Sequence, residues 1–211
     1  MRPLSATGEP ATRRLVVAIT GSSAPQLGLS LLGALRSTRD VETHLIISEQ
    51  ARQNLALEAN TTAADVESHA DLVYSPHDLA AAVASGSFQT IGMAIVPCSM
   101  KTLGTIAAGI GGDLIARCAD VCLKERRRLV LVTRETPLSL IHIRNMETLT
   151  LAGATILPPV PAFYHQPKTV DELLCQISGK ILDQFGIAHD LFQRWAGVPE
   201  SPTDTTRSGP A

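Results

Sequence analysis

Short, almost unbroken apolar runs alternate along this chain with longer segments whose apolar residues recur every three or four positions. "RLVVAIT" (14–20), "THLIIS" (43–48), "IGMAIVP" (91–97), "RLVLVT" (128–133) and "GATILP" (153–158) form the first set. Nearly continuous hydrophobicity over so few residues predicts strands buried on both faces. Between them "QLGLSLLGALRS", "EQARQNLALEA", "HDLAAAVAS", "GDLIARCADVCLKE" and "LIHIRNMETLTLAG" carry helical spacing. Alternating strand and helix predict an α/β fold: a parallel sheet with helices on both faces, a three-layer sandwich joined by right-handed crossovers. Residues 1–12 and 197–211 are rich in Pro, Ser, Thr and Gly without periodicity and read as disordered tails, leaving one domain over 13–196.

In a parallel sheet, ligands bind beyond the carboxyl ends of the strands. Here those ends are "TGSSAPQ", "SEQA", "PCSMKT", "TRETP" and "LPPVPAFYH". The first resembles a phosphate-binding turn, with Gly21 for close approach and Ser22 and Ser23 for hydroxyls; an ordinary Ser-capped turn reads equally well. The third offers Ser99 and Thr102 as helix caps that can also bond a phosphate or a ring edge, with Lys101 either a ligand contact or a solvated charge. Cys98 reads as a small buried hydrophobe before a reactive thiol. Arg134 and Glu135 suit phosphate recognition and proton transfer, or form a plain surface ion pair. In the fifth, prolines pre-set a loop that presents Tyr164.

Charge narrows the function classes. With 18 basic and 20 acidic residues the net charge is −2, which calls for no nucleic acid or acidic membrane. Four cysteines without metal-type spacing, histidines without ligand spacing and no apolar run near the ~20 residues of a membrane helix predict a reduced, cytoplasmic, metal-free protein. The missing GxGxxG pattern favours a mononucleotide over a dinucleotide.

"TGSSAPQLG", "HLIISEQARQNLALE", "SGSFQTIGMAIVPCSMKTLGTIA", "KERRRLVLVTRETPL", "GATILPPVPAFYHQPKTVDELL" and "ILDQFGI" together resemble the UbiX/Pad1 family of flavin prenyltransferases, over about residues 13–196. The resemblance implies a Rossmann-like or flavodoxin-like fold, trimers gathered into a dodecamer, and metal-independent transfer of a dimethylallyl group from dimethylallyl phosphate to reduced FMN. The product, prenyl-FMN, would serve a UbiD-type decarboxylase. It further implies an FMN site of Gly21, Ser22, Ser23, Ser48, Ser99, Met100, Lys101, Thr102 and Arg134, and a donor site of Tyr164, Lys180, Lys124 and Arg117, in part across a subunit contact.

Breaking an allylic carbon–oxygen bond leaves a phosphate and a delocalised cation, so the site needs cationic side chains and a π-rich wall. Tyr164 and Trp195, the only tryptophan, suit the wall. Glu135 is assigned the main proton transfer, with Ser23 and Glu58 as a supporting relay.

The chain departs from the family pattern at Ala24 and Pro25, where "GASGA" is common, and at Leu27, Glu49, Leu79 and Lys180, the last replacing a frequent arginine. Two other functions compete. A non-catalytic flavin carrier is one. The other is a flavin-dependent cysteine decarboxylase, whose strand-end motif resembles "PASANT" and which uses an early histidine; this chain has "PCSMKT" and no histidine before His44. Apolar surface on "LIHIRNMETLTLAG" and "DELLCQISGKILDQF" predicts subunit contacts.

Overall fold

The structure, a computed structural model, describes residues 13–38 and 40–197. Apart from Gly197, both stretches read as tails lie outside the described residues. Six strands, β1 (Arg13–Ile19), β2 (Val41–Ile47), β3 (Leu72–Tyr74), β4 (Gly92–Cys98), β5 (Arg128–Thr133) and β6 (Thr155–Ile156), form one parallel sheet in the order β3-β2-β1-β4-β5-β6. Among the described residues six helices connect them, α1 (Gln26–Arg36), α2 (Glu49–Glu58), α3 (Ala63–Glu67), α4 (Met100–Ala107), α5 (Leu114–Lys124) and α6 (Leu140–Leu151), and a seventh, α7 (Val170–Gln184), follows the last strand.

The unbroken hydrophobicity of the strands has a direct structural cause. In β1, Leu15, Val17 and Ile19 face a core completed by α1, α2 and α7, while Val16 and Ala18 face a second core completed by α4, α5 and α6. All five are essentially buried. Each such aliphatic side chain contributes on the order of 1.5–3 kcal/mol when removed from water. α7 is locked against α1 partly by a polar contact, the buried Ser178 hydroxyl lying 2.9 Å from that of Ser30.

Two expectations need correction. "HDLAAAVAS" is not a helix: apart from a 3-10 turn at Ala82–Ala84 it is turns and bends. Asp78 captures the Ala80 amide, and only Val83 and Ala84 are buried, so the segment has no apolar stripe to dock. The outer surface of α7 is also less apolar than expected, because Ile177, Ile181 and Leu182 are spent on the core and only Val170 stays broadly exposed. By contrast, α6 leaves Leu140, Ile141, Ile143 and Leu151 at least half exposed. Among the described residues no helix is long and apolar enough to cross a membrane.

Candidate active site

The sheet order reverses direction at β1 and β4, and at such a point the loops leaving two neighbouring strands diverge and open a crevice. A cleft of about 460 Å3 lies there, within the ~300–1,000 Å3 usual for small-molecule sites. Gly21 follows β1, Ser48, Glu49 and Gln50 follow β2, Ser99, Met100, Lys101 and Thr102 follow β4, and Glu135 follows β5; all line it. A larger cavity, about 690 Å3, lies at the other end of the sheet among Arg126, Arg127, Arg128 and the carbonyl ends of α6 and α7. It touches none of the strand ends that carry candidate chemistry.

Three helices start at the cleft, and each is capped by a side chain. Ser48 Oγ accepts from the Ala51 amide at 3.2 Å, Ser99 Oγ from the Thr102 amide at 3.2 Å, and an Asp113 oxygen from the Ala116 amide at 2.8 Å. Every helix start carries amides without intrahelical acceptors and the positive end of the helix dipole. With Lys101 beside them, the serine-capped starts of α2 and α4 make a setting for an anionic ligand, whereas Asp113 puts its own carboxylate at the start of α5 and Glu49 and Glu135 bring two more to the lining. The Ser99 and Thr102 hydroxyls lie 3.0 Å apart. One therefore donates to the other, which sets the direction of the hydroxyl left for a ligand.

The first loop is braced from behind. Ser22 Oγ donates to the Arg134 carbonyl at 2.9 Å, and Asn54 Nδ2 donates to the Ser22 carbonyl at 3.1 Å. Glu58 Oε2 accepts from both Ser23 Oγ and the Ala24 amide, at 2.7 and 2.9 Å. These bonds, the Ala24 amide foremost, hold the Glu58 carboxyl below its ordinary pKa, so it is an anion at neutral pH. Ala24 sits at φ +66, in the left-handed region that favours glycine. Pro25 precedes α1 without a side-chain cap. At Gly21 a Cβ would fall 2.5 Å from Gln50 Cβ, so the missing side chain admits α2. Thr20, buried, ties β1 to β4: its hydroxyl donates to the Pro97 carbonyl and accepts from the Ser99 amide, at 2.8 and 2.9 Å.

The sequence-based candidates thus fall into separate groups. Gly21, Ser48, Ser99, Met100, Lys101, Thr102 and Glu135 share the cleft, while Ser22, Ser23, Glu58 and Arg134 form the bracing behind it. Tyr164 and Trp195 meet edge to face, centroids 6.0 Å apart, away from the cleft lining; Lys180 pairs with Asp183 at 3.6 Å. Arg117 bonds the Ala84 carbonyl and Asp120, and Lys124 pairs with Glu125 at the far end of α5. With a rise of ~1.5 Å per residue, α5 puts Lys124 about 15 Å from the helix start at the cleft. Cys98 is fully buried and its thiol is pushed up to about 12 by burial, so it packs as a hydrophobe.

Pro76, His77, Asp113 and Ile115 also line the cleft and were not read from the sequence. Pro76 and His77 follow β3, a strand too short to read from the sequence, while Asp113 caps α5 and Ile115 lies in its first turn. The one usable signal was Asp113, an Asp immediately before the apolar periodicity of α5.

Comparison with known proteins agrees with this architecture. The Flavoprotein family matches residues 4–183. Flavin prenyltransferase UbiX of Escherichia coli (strain K12) is 49% identical over 188 residues, which cover 88% of this chain and 100% of that protein. The crystal structure of AnUbiX (PadA1) in complex with FMN and dimethylallyl pyrophosphate superposes with a TM-score of 0.86 at 51% identity, covering 88% of this chain and 98% of that one. A dodecameric FMN-dependent UbiX-like decarboxylase from Escherichia coli O157:H7 does so with a TM-score of 0.85 at 48% identity, covering 87% and 100%.

Proposed function

Since the chain belongs to the UbiX/Pad1 flavin prenyltransferases of the Flavoprotein family, we propose that it joins a dimethylallyl group from dimethylallyl phosphate to reduced FMN. The product, prenyl-FMN, would be the cofactor of a UbiD-type decarboxylase. The observation that carries the reading is the cleft at the strand-order reversal, where three capped helix starts, Lys101 and Glu135 converge. Its size and positive helix ends fit a flat ring bearing a phosphate.

Reduced FMN, when bound, supplies a nucleophilic N5 and the C6 carbon at which a new ring closes. The protein's own part is positioning and charge. Gly21, Ser48, Ser99, Met100, Lys101 and Thr102 would hold the flavin, with Ser22 and Arg134 keeping the first loop and the β5 end in register and Ser23 tying that loop to α2. Glu135, exposed at the cleft edge, would hold and move the proton that ring closure exchanges. Glu58, kept ionised, fixes the direction of the Ser23 hydroxyl by accepting its hydrogen.

Tyr164 and Trp195 would wall the allylic carbons, while Lys124, Lys180 and Arg117 would face the phosphate. These five line no part of the single-chain cleft, so the donor reading requires a composite site in which they meet the cleft of a neighbouring copy. The exposed apolar face of α6 is a surface such a neighbour could cover, in trimers assembled into a dodecamer. All four cysteines are free thiols, as a cytoplasmic setting would keep them.

Incubating the protein anaerobically with reduced FMN and dimethylallyl monophosphate, then weighing the extracted flavin, tests the reading. Gain of one five-carbon unit is the expected result; unchanged flavin that stays protein-bound would overturn it in favour of a carrier.

A further inference from the structure

Beyond α7 the chain doubles back and is fastened to that helix at one carboxylate. Asp183 Oδ1 accepts from Arg194 Nη2 at 2.7 Å, and Oδ2 accepts from Arg194 Nη1 at 3.2 Å, a two-pronged contact of guanidinium on carboxylate. His189 completes the clasp. Its Nδ1 accepts from the Leu191 amide at 3.3 Å, so Nε2 carries the hydrogen and donates it to Asp183 Oδ1 at 3.2 Å. Lys180, on the preceding turn of α7, has its ammonium 3.6 Å from the second oxygen.

The clasp has a seat beneath it. A Cβ at Gly179 would fall 2.5 Å from Phe192 Cε1 and 2.6 Å from His189 Cε1, so the bare backbone of α7 there is what lets the returning segment lie flat. Arg194 also stacks over the Phe192 ring at 5.4 Å. The next residue is Trp195, which meets Tyr164 edge to face. Within its own chain Trp195 is 62% exposed, so the core of that chain does little to hold it where it is. Its position follows from that of Arg194, and a two-pronged guanidinium–carboxylate pair is directional as well as charged.

We propose that Asp183 is a positioning residue for the donor site: by gripping Arg194 it fixes Trp195 against Tyr164 and so shapes the apolar wall that receives the allylic group. The proposal rests on the prenyl-transfer reading above for its chemical consequence, but not for its structural one. Asp183 also holds Lys180, so one carboxylate sets both the cation and the aromatic wall assigned to the donor.

The experiment exploits Trp195 as the only tryptophan in the chain. Full-length protein and the variants Asp183→Asn and Arg194→Lys, each with and without FMN, are compared by acrylamide quenching of tryptophan emission. Both variants keep a side chain of similar size but lose the two-pronged ionic contact, and Arg194 is exposed enough that Arg194→Lys poses little risk to folding. With Trp195 already 62% exposed, quenching is expected to rise by up to about half in both, with the KM for dimethylallyl phosphate up roughly tenfold and FMN affinity within about twofold of the parent. Asp183→Glu, which keeps the charge, should recover part of each change.

Unaltered quenching in both variants would overturn the proposal. So would a loss of FMN affinity parallel to the rise in KM, which indicates general damage to the fold. If the parent chain itself transfers no prenyl group, the functional reading fails alone, and the quenching comparison still decides whether Asp183 places Trp195.

Discussion

Ser23 Oγ and the Ala24 amide converge on one oxygen, Glu58 Oε2, at 2.7 and 2.9 Å. The first loop after β1 is thus closed by a carboxylate borrowed from the last residue of α2. Because the folded pKa of Glu58 lies below its ordinary value of 4.5, its contribution to stability is complete above that value and disappears as pH falls through the lower folded value. Glu58→Gln should therefore be less stable than the parent at neutral pH, and the gap should narrow on acidification below 4.5. Urea midpoints measured across that range check it; a gap independent of pH would show that shape and not charge holds the loop.

Ala24 occupies the left-handed region at φ +66. A non-glycine residue there carries strain on the order of 1 kcal/mol, partly offset by the extra freedom glycine has when unfolded. Ala24→Gly should stabilise the fold by about 0.5 kcal/mol and leave the Glu58 contacts in place. Gly21→Ala should act oppositely, because the added methyl meets Gln50 Cβ and Cγ at 2.5 and 2.4 Å. A loss of about 1–3 kcal/mol together with weaker FMN binding is expected there. Thermal melts of the two variants side by side settle both signs.

The buried His44 has both ring nitrogens engaged, Nε2 with Glu42 at 2.7 Å and Nδ1 with the Tyr74 hydroxyl at 2.9 Å. Burial pushes its pKa below 6.5, so it stays neutral when an unfolded histidine would take up a proton. The sign follows: stability declines as pH falls from 6.5 toward the lower folded value, because the unfolded state binds the extra proton. Glu42 adds a second, lower window. Burial raises its pKa, but hydrogen bonds from His44 and Arg14 outweigh that and hold it below 4.5. In His44→Gln the upper part of the acid slope should vanish, and the part below 4.5 should shrink without disappearing, because Arg14 still holds Glu42 after the His44 hydrogen bond is lost. An unchanged slope just below 6.5 would assign it to other groups.

Glu135→Gln should bind FMN as the parent does and convert it about 10²–10⁴ times more slowly, the usual worth of a positioned acid or base. Single-turnover anaerobic kinetics measure this directly, and a normal rate would remove Glu135 from the proton path.

Ile141 is 70% exposed on the apolar face of α6. Ile141→Glu should leave the melting behaviour of the isolated fold within ~0.5 kcal/mol while shifting light scattering toward smaller assemblies. An undiminished assembly would place the subunit contact elsewhere.

The layered architecture was legible because both faces of the sheet are buried, which writes unbroken apolar runs into β1, β2, β4 and β5. β3 left no such mark: it is three residues long, pairs only with β2, and exposes Leu72 and Val73. "HDLAAAVAS" misled for the opposite reason, having alanine's helical preference without a face to bury. The cleft was readable where it is made of strand ends. It was unreadable at Pro76 and His77, and at Asp113 only the helix cap could be read and not its place in the cleft, because these loops follow contacts such as the Leu114 amide on the Pro76 carbonyl at 2.8 Å. Arg117 was named by resemblance alone and Lys124 from the basic run it sits in as well, but nothing in their local sequence says which copy of the cleft they face.

The bracing of the first loop has a kinetic consequence. With the Ser22 carbonyl, the Ser22 and Ser23 hydroxyls and the Ala24 amide already tied to Asn54, Arg134 and Glu58, little ordering is left for an arriving ligand to drive. Flavin capture should then follow a single exponential whose rate climbs linearly with flavin concentration, the behaviour of a surface that waits for its ligand in the shape that binds it.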